Sequence, residues 1–273
     1  MRFHVPFAGC LLFALVPTLS AAALRTAAAE EPAAEEPAVE EPAAVIARTI
    51  ERTRGLTSHA VMTMRIVRPT WRREITMEAW TRGREDALIR FTEPARDRGN
   101  ATLKLAERMW TFTPKLNRAM RLPTSLMSQS WTGSDFSYDD LSRTDNLLTR
   151  YSLRFGETVE QDGHLLYQII AEPHAAVAVV WGREELVIRD DDVVLVHRFY
   201  DQDAALVKTM QTMDIGMLSG RTFGTRTRMQ KAETPDAWTE VEWRDATFDL
   251  ELPDDLFTLY NLQHGKAPAA GPH

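Results

Sequence analysis

Apolar and polar residues alternate along most of the chain after Gly55, and this pattern constrains the fold more than any other feature. Met62, Met64 and Ile66 alternate with Thr63 and Arg65. A period of two is typical of a β-strand with one buried face. The runs 75–79 and 87–91 repeat the pattern, and nine further runs follow at 101–106, 108–113, 151–155, 165–171, 185–189, 193–200, 206–213, 222–229 and 239–247. The sequence therefore predicts roughly a dozen strands.

Short polar or glycine turns join these runs. Examples are residues 82–84 (RGR), 162–163 (DG), 190–192 (DDD) and 201–203 (DQD). Turns of this length suit antiparallel neighbours and leave no room for crossover helices. Because so many strands in one sheet tend to curl with their apolar face inward, we predict a strongly curved antiparallel sheet or an incomplete barrel.

Two segments depart from the alternation. Residues 45–54 place Val45, Ile46, Thr49 and Ile50 on one face at helical spacing, and Gly55 is a natural stop, which predicts one short amphipathic helix. Residues 114–147 form a long irregular insertion, and such insertions inside compact domains are usually functional.

The N-terminus has the layout of a secretory signal peptide. An apolar stretch at residues 5–16 precedes small residues, which predicts a signal peptide over 1–23; a cut after Ala29 would satisfy the same rule. The apolar stretch is shorter than the roughly 20 residues that span a bilayer. Cys10 faintly resembles a lipidation site, but such a site closes the apolar region and here apolar residues follow it. Cleavage of the signal peptide would remove Cys10 and leave a mature chain without cysteine.

Residues 24–44 form an acidic linker with a five-residue Glu-Pro-Ala repeat. Like charges and prolines prevent packing there, so the linker is either a spacer or a neutral leftover. Residues 1–44 carry two Arg and six Glu, a net charge of −4, which leaves −3 for the rest of the chain. A domain with so little net charge has no electrostatic reason to bind nucleic acid.

The sequence offers no motif for catalysis or metal binding. His59, His164, His174 and His197 have no metal-ligand spacing, and there is no nucleophile elbow, phosphate loop or dinucleotide fingerprint. We therefore predict no catalytic residues, no metal and no cofactor. Asp135, Asp139 and Asp140 could bind calcium or act as acid and base, but their spacing does not match an EF-hand and favours helix capping.

Several segments in fixed order carry a family resemblance. These are residues 88–94 (LIRFTEP), 109–114 (MWTFTP), 127–136 (MSQSWTGSDF), 139–141 (DDL) and 252–257 (LPDDLF). Together they resemble the broad branch of the LolA-like outer-membrane lipoprotein-sorting proteins. The resemblance implies a mainly β fold, an unclosed barrel of roughly 11 strands with short covering helices, over residues 45–263. The Gly, Ala and Pro content after Leu262 predicts a disordered tail at 264–273.

The resemblance also implies a function. It implies a periplasmic carrier whose apolar cavity shelters the acyl chains of lipids or lipoproteins, with no enzyme activity. It would receive cargo from an inner-membrane ABC-type transporter and deliver it to an outer-membrane acceptor. The composition is consistent with this, because ten Met and seven Trp lie within residues 45–273 and Met adapts to irregular apolar spaces, although an ordinary Met-rich core would look the same.

We assign candidate site residues from the strand faces and the irregular segments. The predicted cavity lining is Met62, Met64, Ile66, Ile75, Met77, Ile89 and Phe91; the predicted lid is Ile46, Ile50, Met127, Trp131 and Phe136. Three alternatives remain open: an accessory hydrophobic-ligand-binding protein of an RND-type exporter, a secreted hydrolase and a purely structural envelope protein. The hydrolase would require titratable groups converging in the cavity, and the structural protein a solidly packed interior.

Overall fold

The computed structural model describes residues 40–143, 145–175 and 177–265, and one antiparallel sheet dominates them. Its strands are β1 Thr57–Arg68, β2 Trp71–Arg82, β3 Asp86–Glu93, β4 Ala101–Leu105, β5 Arg108–Thr113, β6 Arg118–Arg121, β7 Tyr151–Gln161, β8 His164–Pro173, β9 Arg183–Arg189, β10 Val194–Tyr200, β11 Leu206–Leu218, β12 Arg221–Lys231 and β13 Trp238–Phe248. The spatial order is β6-β5-β4-β3-β2-β1-β13-β12-β11-β10-β9-β8-β7. The first and last strands of the chain therefore pair at the centre, while β6 and β7 form the two edges.

This architecture confirms the predicted fold: mainly β, antiparallel and unclosed. Every alternating run of the sequence corresponds to one strand. The structure has thirteen strands instead of roughly 11. The strand that the alternation did not reveal is β6, which lies inside the segment predicted to be irregular. It has four residues, of which only Ala119 is partly buried, so it carries no periodic pattern.

Short helices accompany the sheet, as the resemblance implied. They are α1 Pro42–Arg54, α2 Tyr138–Ser142, α3 Asn146–Thr149 and α4 Leu259–His264, with one 3-10 turn at Thr124–Leu126. α1 begins three residues before the predicted start because Pro42 occupies its first turn, where proline needs no hydrogen-bonded N–H. It ends as predicted at Gly55, which has φ 59° and whose N–H is donated to the carbonyl of Glu51.

Apolar clusters cover both faces of the sheet at β2 and β3, and one of them extends to β5 while the other extends to β1. Register pairs Trp80 with Leu88, Leu88 with Leu103 and Leu103 with Trp110, which places all four on one face. Leu262 of α4 packs on that face together with Leu256 and Phe257. The opposite face carries a second cluster that contains Met64, Ile66 and Ile75, all fully buried. Strands with two buried faces leave room for a ligand only where packing is interrupted.

α1 packs elsewhere on the sheet. Its buried residues Val45 and Ile46 share a cluster with Ile169, Leu186 and Ile188 of β8 and β9. The helix thus covers the half of the sheet that α4 does not.

Parts of the predicted domain plan lie outside the described residues. These are the signal peptide over 1–23, most of the linker over 24–44 and residues 266–273 of the predicted tail. At the described boundaries, α1 includes residues 42–44 of the predicted linker, and α4 includes His264, the first residue of the predicted tail.

The packing of α4 predicts that the C-terminal segment stabilises the sheet. Leu262 has no exposed surface, so Leu262→Ala should lower the free energy of unfolding by about 2 to 5 kcal/mol, measured by urea denaturation. Tyr260 of the same helix is 72% exposed, and Tyr260→Ala should change stability by less than about 0.5 kcal/mol. Equal effects of the two variants would contradict this packing.

Candidate functional site

An apolar cavity of about 420 Å³ lies against one face of the sheet. Twelve of its twenty lining residues are apolar: Met62, Met77, Ile89, Trp131, Phe136, Leu141, Val193, Val194, Met210, Phe223, Val241 and Trp243. Ligand cavities in proteins typically measure about 300 to 1,000 Å³ and have mainly apolar walls with a few polar groups. The size and lining are therefore those of a site for one apolar ligand.

Strand register builds the wall from both halves of the sheet. Met62 pairs with Met77 across β1 and β2, and with Trp243 across β1 and β13. Val241 pairs with Thr227 across β13 and β12. Directly paired residues point to the same face, so one continuous concave surface collects side chains from β2 to β12. Phe223 packs edge-on against Trp243, with ring centroids 4.7 Å apart, and closes this wall.

Trp131 seals the cavity at the β3–β4 side. Its ring packs edge-on against Phe91 at a centroid distance of 5.6 Å, and its Nε1–H is donated to Thr102 Oγ1 at 3.2 Å. A buried indole N–H normally requires such a partner. Only 3% of Trp131 is exposed, so it belongs to the core as well as to the cavity wall.

Helix α2 covers the cavity next to Trp131, and its sequence explains why it forms. Ser137 is the N-cap: its Oγ accepts from the N–H of Asp140, and Asp140 Oδ2 accepts from the N–H of Ser137 at 2.7 Å. This reciprocal pair is a capping box. The predicted capping role is therefore confirmed for Asp140, whereas Asp135 accepts hydrogen bonds from Arg68 and Thr239.

A buried network of charges holds α2 to the sheet. Arg143 forms ion pairs with Asp139 at 3.0 Å, with Asp140 at 3.6 Å and with Glu184 of β9. Glu184 Oε2 also lies 2.7 Å from His197 Nε2 of β10. Lys208 of β11 donates to Asp140 and lies 4.9 Å from the centres of the Trp181 and Phe199 rings. Charged groups of α2 and of Arg143 thus pair with Glu184 of β9 and Lys208 of β11 with little exposure to solvent.

The network separates the pKa values of its carboxyl groups. Burial raises the pKa of Asp139 from 3.8 to about 6, in spite of Arg143. Burial alone would also raise the pKa of Glu184, but Arg143 and His197 hold it at about 2. Lys208 and Arg143 likewise outweigh burial and lower the pKa of Asp140. Asp139 retains its proton more readily because burial and the neighbouring carboxylates Asp140 and Glu184 together outweigh the cations Arg143 and Lys208.

The polar side of the cavity lies beside α1. Arg52 and Thr53 line it together with Asp192 from the β9–β10 turn. Asp192 accepts from Arg48 at 3.0 Å and from Arg52 at 3.4 Å, while the buried Nε of Arg52 has no hydrogen-bond partner among the described residues. Arg48 also pairs with Glu40, so two guanidinium groups face two carboxylates at this rim.

The predicted site residues fall into three groups. Met62, Met77, Ile89, Trp131 and Phe136 line the cavity. The adjoining core cluster contains Met64, Ile66, Ile75 and Phe91, and the cluster under α1 contains Ile46 and Ile50. Met127 lines a different cavity. The part of each residue in ligand binding stays a prediction.

Sequence reasoning missed the far wall and the charge network. Met210, Phe223, Val241 and Trp243 alternate in predicted strands, but alternation does not tell which strands meet across the sheet. Arg143, Glu184 and Lys208 come from three separate segments and have no common motif. The one local signal was the Ser-x-x-Asp spacing of residues 137–140.

A second cavity of about 670 Å³ is polar. Its lining includes five cations and four acids, Lys104, Arg108, Arg121, Arg143, Arg150, Glu85, Glu107, Asp139 and Asp145, together with apolar residues such as Met127, Leu122 and Val179. Lys104 donates to the carbonyls of Arg84 and Glu85. An apolar ligand gains little from such a wall, so the smaller apolar cavity is the better candidate site.

Two features are absent from residues 40–143, 145–175 and 177–265. No group of three or more His, Cys, Asp or Glu side chains is arranged to hold a metal ion there. No helix of that part combines the length and apolarity needed to cross a membrane.

Comparisons with known proteins agree with this fold. A family model described only as "Uncharacterized protein" matches residues 83–264. No curated protein sequence matches the chain.

Three solved structures are similar over most of the chain. A DUF1329 family protein from Desulfovibrio piger is 20% identical with a TM-score of 0.73, over 82% of this chain and 100% of that one. A putative outer membrane lipoprotein-sorting protein domain from Vibrio parahaemolyticus is 19% identical with a TM-score of 0.71, over 82% and 98%. A LolA superfamily protein from Nitrosomonas europaea is 20% identical with a TM-score of 0.68, over 81% and 98%. The resemblance to LolA-like folds is thereby confirmed at the level of the fold.

The charge network predicts opposite pH dependences for two substitutions. Because the pKa of Asp139 is about 6 when folded and 3.8 otherwise, the wild-type protein loses stability as the pH rises between these values. Asp139→Asn removes this loss, so its free energy of unfolding relative to wild type should rise by about 2 to 3 kcal/mol over that window.

Glu184→Gln is the control of opposite sign. The folded-state pKa of Glu184 is about 2 and its ordinary value 4.5, so the ionised carboxylate stabilises the fold above 4.5 and this contribution is lost toward pH 2. The variant should therefore lose stability relative to wild type as the pH rises. Urea unfolding at several pH values measures both slopes, and slopes of the same sign would contradict the assignment.

Proposed function

The chain belongs to the family of uncharacterized proteins whose model matches residues 83–264, and we propose that it is a lipid carrier. Its apolar cavity would shelter an acyl chain of a lipid or lipoprotein. The observation that carries the proposal is the cavity of about 420 Å³ with its methionine and aromatic walls. Burial of apolar surface favours an acyl chain there by about 0.8 kcal/mol per methylene. Met62, Met77 and Met210 suit a wall that is alternately filled and empty, because the thioether side chain adapts its shape.

The polar groups of the cavity support a binding role over hydrolysis. The two carboxylates in its wall are Asp140, bound by Lys208, and Asp192, bound by Arg48 and Arg52. Acid and base catalysis requires a carboxyl group free to exchange a proton with the substrate. Salt-bridged carboxylates fix the walls instead.

A guanidinium donor without a partner supports an anionic headgroup at this rim. Arg52 lines the cavity next to Thr53, and its buried Nε–H has no hydrogen-bond partner among the described residues. A carboxylate or phosphate there would gain a charge-assisted hydrogen bond while its chain occupies the apolar wall. We therefore infer that the cargo is an anionic amphiphile with its chain inside and its headgroup at α1.

The cellular setting follows from the same proposal. The apolar stretch at residues 5–16 with small residues after it favours export to the periplasm. The similar Vibrio parahaemolyticus domain is described as a putative outer membrane lipoprotein-sorting protein, which supports cargo transfer toward an outer-membrane acceptor. The inner-membrane donor would be an ABC-type transporter, or an RND-type exporter if the protein serves a different hydrophobic cargo.

The proposal predicts a chain-length dependence of binding. In a series of saturated fatty acids from octanoate to palmitate, the affinity should rise about fourfold per methylene until the cavity is full and then level off. Displacement of a fluorescent fatty acid from the purified protein measures it. An affinity independent of chain length would overturn an acyl-chain site, and a rise without a plateau would indicate binding outside a closed cavity.

A substitution in the wall should abolish this binding. Phe136 is partly buried and lines the cavity, so Phe136→Asp places a charge in the acyl site and should lower fatty-acid affinity more than about 100-fold. Phe155→Asp makes the same change at a partly buried phenylalanine in the cluster under α1 and should leave the affinity of the folded protein unchanged. Circular dichroism verifies folding, and normal binding by Phe136→Asp would remove the cavity from the proposal.

A further inference from the structure

The charge of the domain is unevenly distributed along the sheet. Residues 57–121, which form β1 to β6, contain 14 Lys and Arg against 7 Asp and Glu, a net charge of +7. Residues 122–265 contain 12 Lys and Arg against 25 Asp and Glu, a net charge of −13. In the strand order, β6 to β1 are consecutive neighbours, so the positive charge belongs to one continuous half of the sheet. A nearly neutral total conceals a strongly polarised protein.

The positive half ends in a hairpin without acidic residues. Residues 108–121 comprise β5, a turn and the edge strand β6, and they contain four cations and no Asp or Glu. The cations are Arg108, Lys115, Arg118 and Arg121, and all four are exposed. None of them has an acidic partner within 4.0 Å among the described residues, although ion pairs are common over the rest of the sheet.

Large apolar side chains lie exposed between these cations. Leu116 in the turn is 64% exposed, and Met120 in β6 is 45% exposed. Met120 pairs with Thr111 and Arg118 pairs with Thr113, so the two project from the same face of the hairpin. Exposed apolar groups among unpaired cations are costly in water and suit a surface that offers both anions and hydrocarbon.

From this arrangement we propose that the hairpin of β5 and β6 docks the protein on membranes rich in anionic lipids. Arg118 and Lys115 bind lipid phosphates, while Leu116 and Met120 insert between the headgroups. This surface goes beyond the proposed carriage of lipid and does not depend on the cavity, because no residue of the hairpin lines that cavity. The anionic membrane surface repels the net-negative half of the protein, residues 122–265, and this repulsion orients the docked molecule.

Two other roles would explain part of this arrangement of charges and apolar side chains, and the test distinguishes them from membrane docking. Cations on an exposed edge strand also prevent edge-to-edge aggregation, a role that predicts no membrane binding. A nucleic acid would engage the cations but gain nothing from Leu116 and Met120.

The test is co-sedimentation of the purified protein with vesicles. Vesicles of equimolar phosphatidylglycerol and phosphatidylcholine should bind it, and vesicles of phosphatidylcholine alone should not. Lys115→Gln combined with Arg118→Gln should weaken binding by roughly 30-fold. Leu116→Ser combined with Met120→Ser should weaken it by roughly tenfold. All four positions are exposed, so the fold should survive, as circular dichroism can verify.

The matched control removes the same net charge elsewhere. Arg72 and Arg244 are exposed on β2 and β13, and neutralising both with glutamine should change vesicle binding by less than about threefold. Phe136→Asp should bind vesicles like wild type even though it no longer takes up fatty acids, which separates this inference from the carrier proposal.

Three outcomes would overturn docking by the hairpin. The first is that the protein does not bind anionic vesicles. The second is that the Arg72 and Arg244 control weakens vesicle binding as much as the hairpin variants do. The third is that a single-stranded oligonucleotide binds as tightly as the vesicles and the Leu116 and Met120 substitutions have no effect. The predicted pattern of losses in the two hairpin variants, with the control intact, would establish it.

Discussion

The cavity depends on the buried ion pairs that fasten α2 over the concave face of the sheet. A void gives its walls no packing contacts, so side chains tend to collapse into it unless other interactions hold them apart. Arg143 and Lys208 supply these interactions by joining α2 to β9 and β11. The capping box at Ser137 keeps the short helix folded where it is held. Charged groups therefore maintain an apolar space.

The same network limits how the cavity can exchange its contents. Removing one member of a buried pair costs about 3 to 5 kcal/mol, so lifting α2 away from the sheet is expensive. The side next to α1 is held differently, by the apolar cluster under α1 and by Arg48 and Arg52 against the carboxylates of Asp192 and Glu40. Partly exposed ion pairs of this kind contribute little to stability. Opening the ion pairs at this rim would therefore cost less than lifting α2 from the sheet.

Much of the fold was predictable from periodicity, because a strand that is buried on one face must alternate. The runs that include Met62, Ile89 and Val241 all became strands. The edge strand β6 was not predictable, since most of its residues are exposed and nothing forces a pattern on them. Five of the twelve apolar residues that line the cavity were named from the sequence. Met62 and Met77 are among them, whereas Met64 and Ile75, on the same strands, are packed in the core.

The sequence by itself determined which side chains would face inward, where α1 would end and which segment would carry the capping helix. These are local properties, set by side-chain period, by Gly55 and by the spacing of Ser137 and Asp140. Only the tertiary structure decided which inward residues surround empty space and which touch one another. That outcome depends on the pairing of β1 with β13 and on charges brought together from distant segments, and neither leaves a local trace in the sequence.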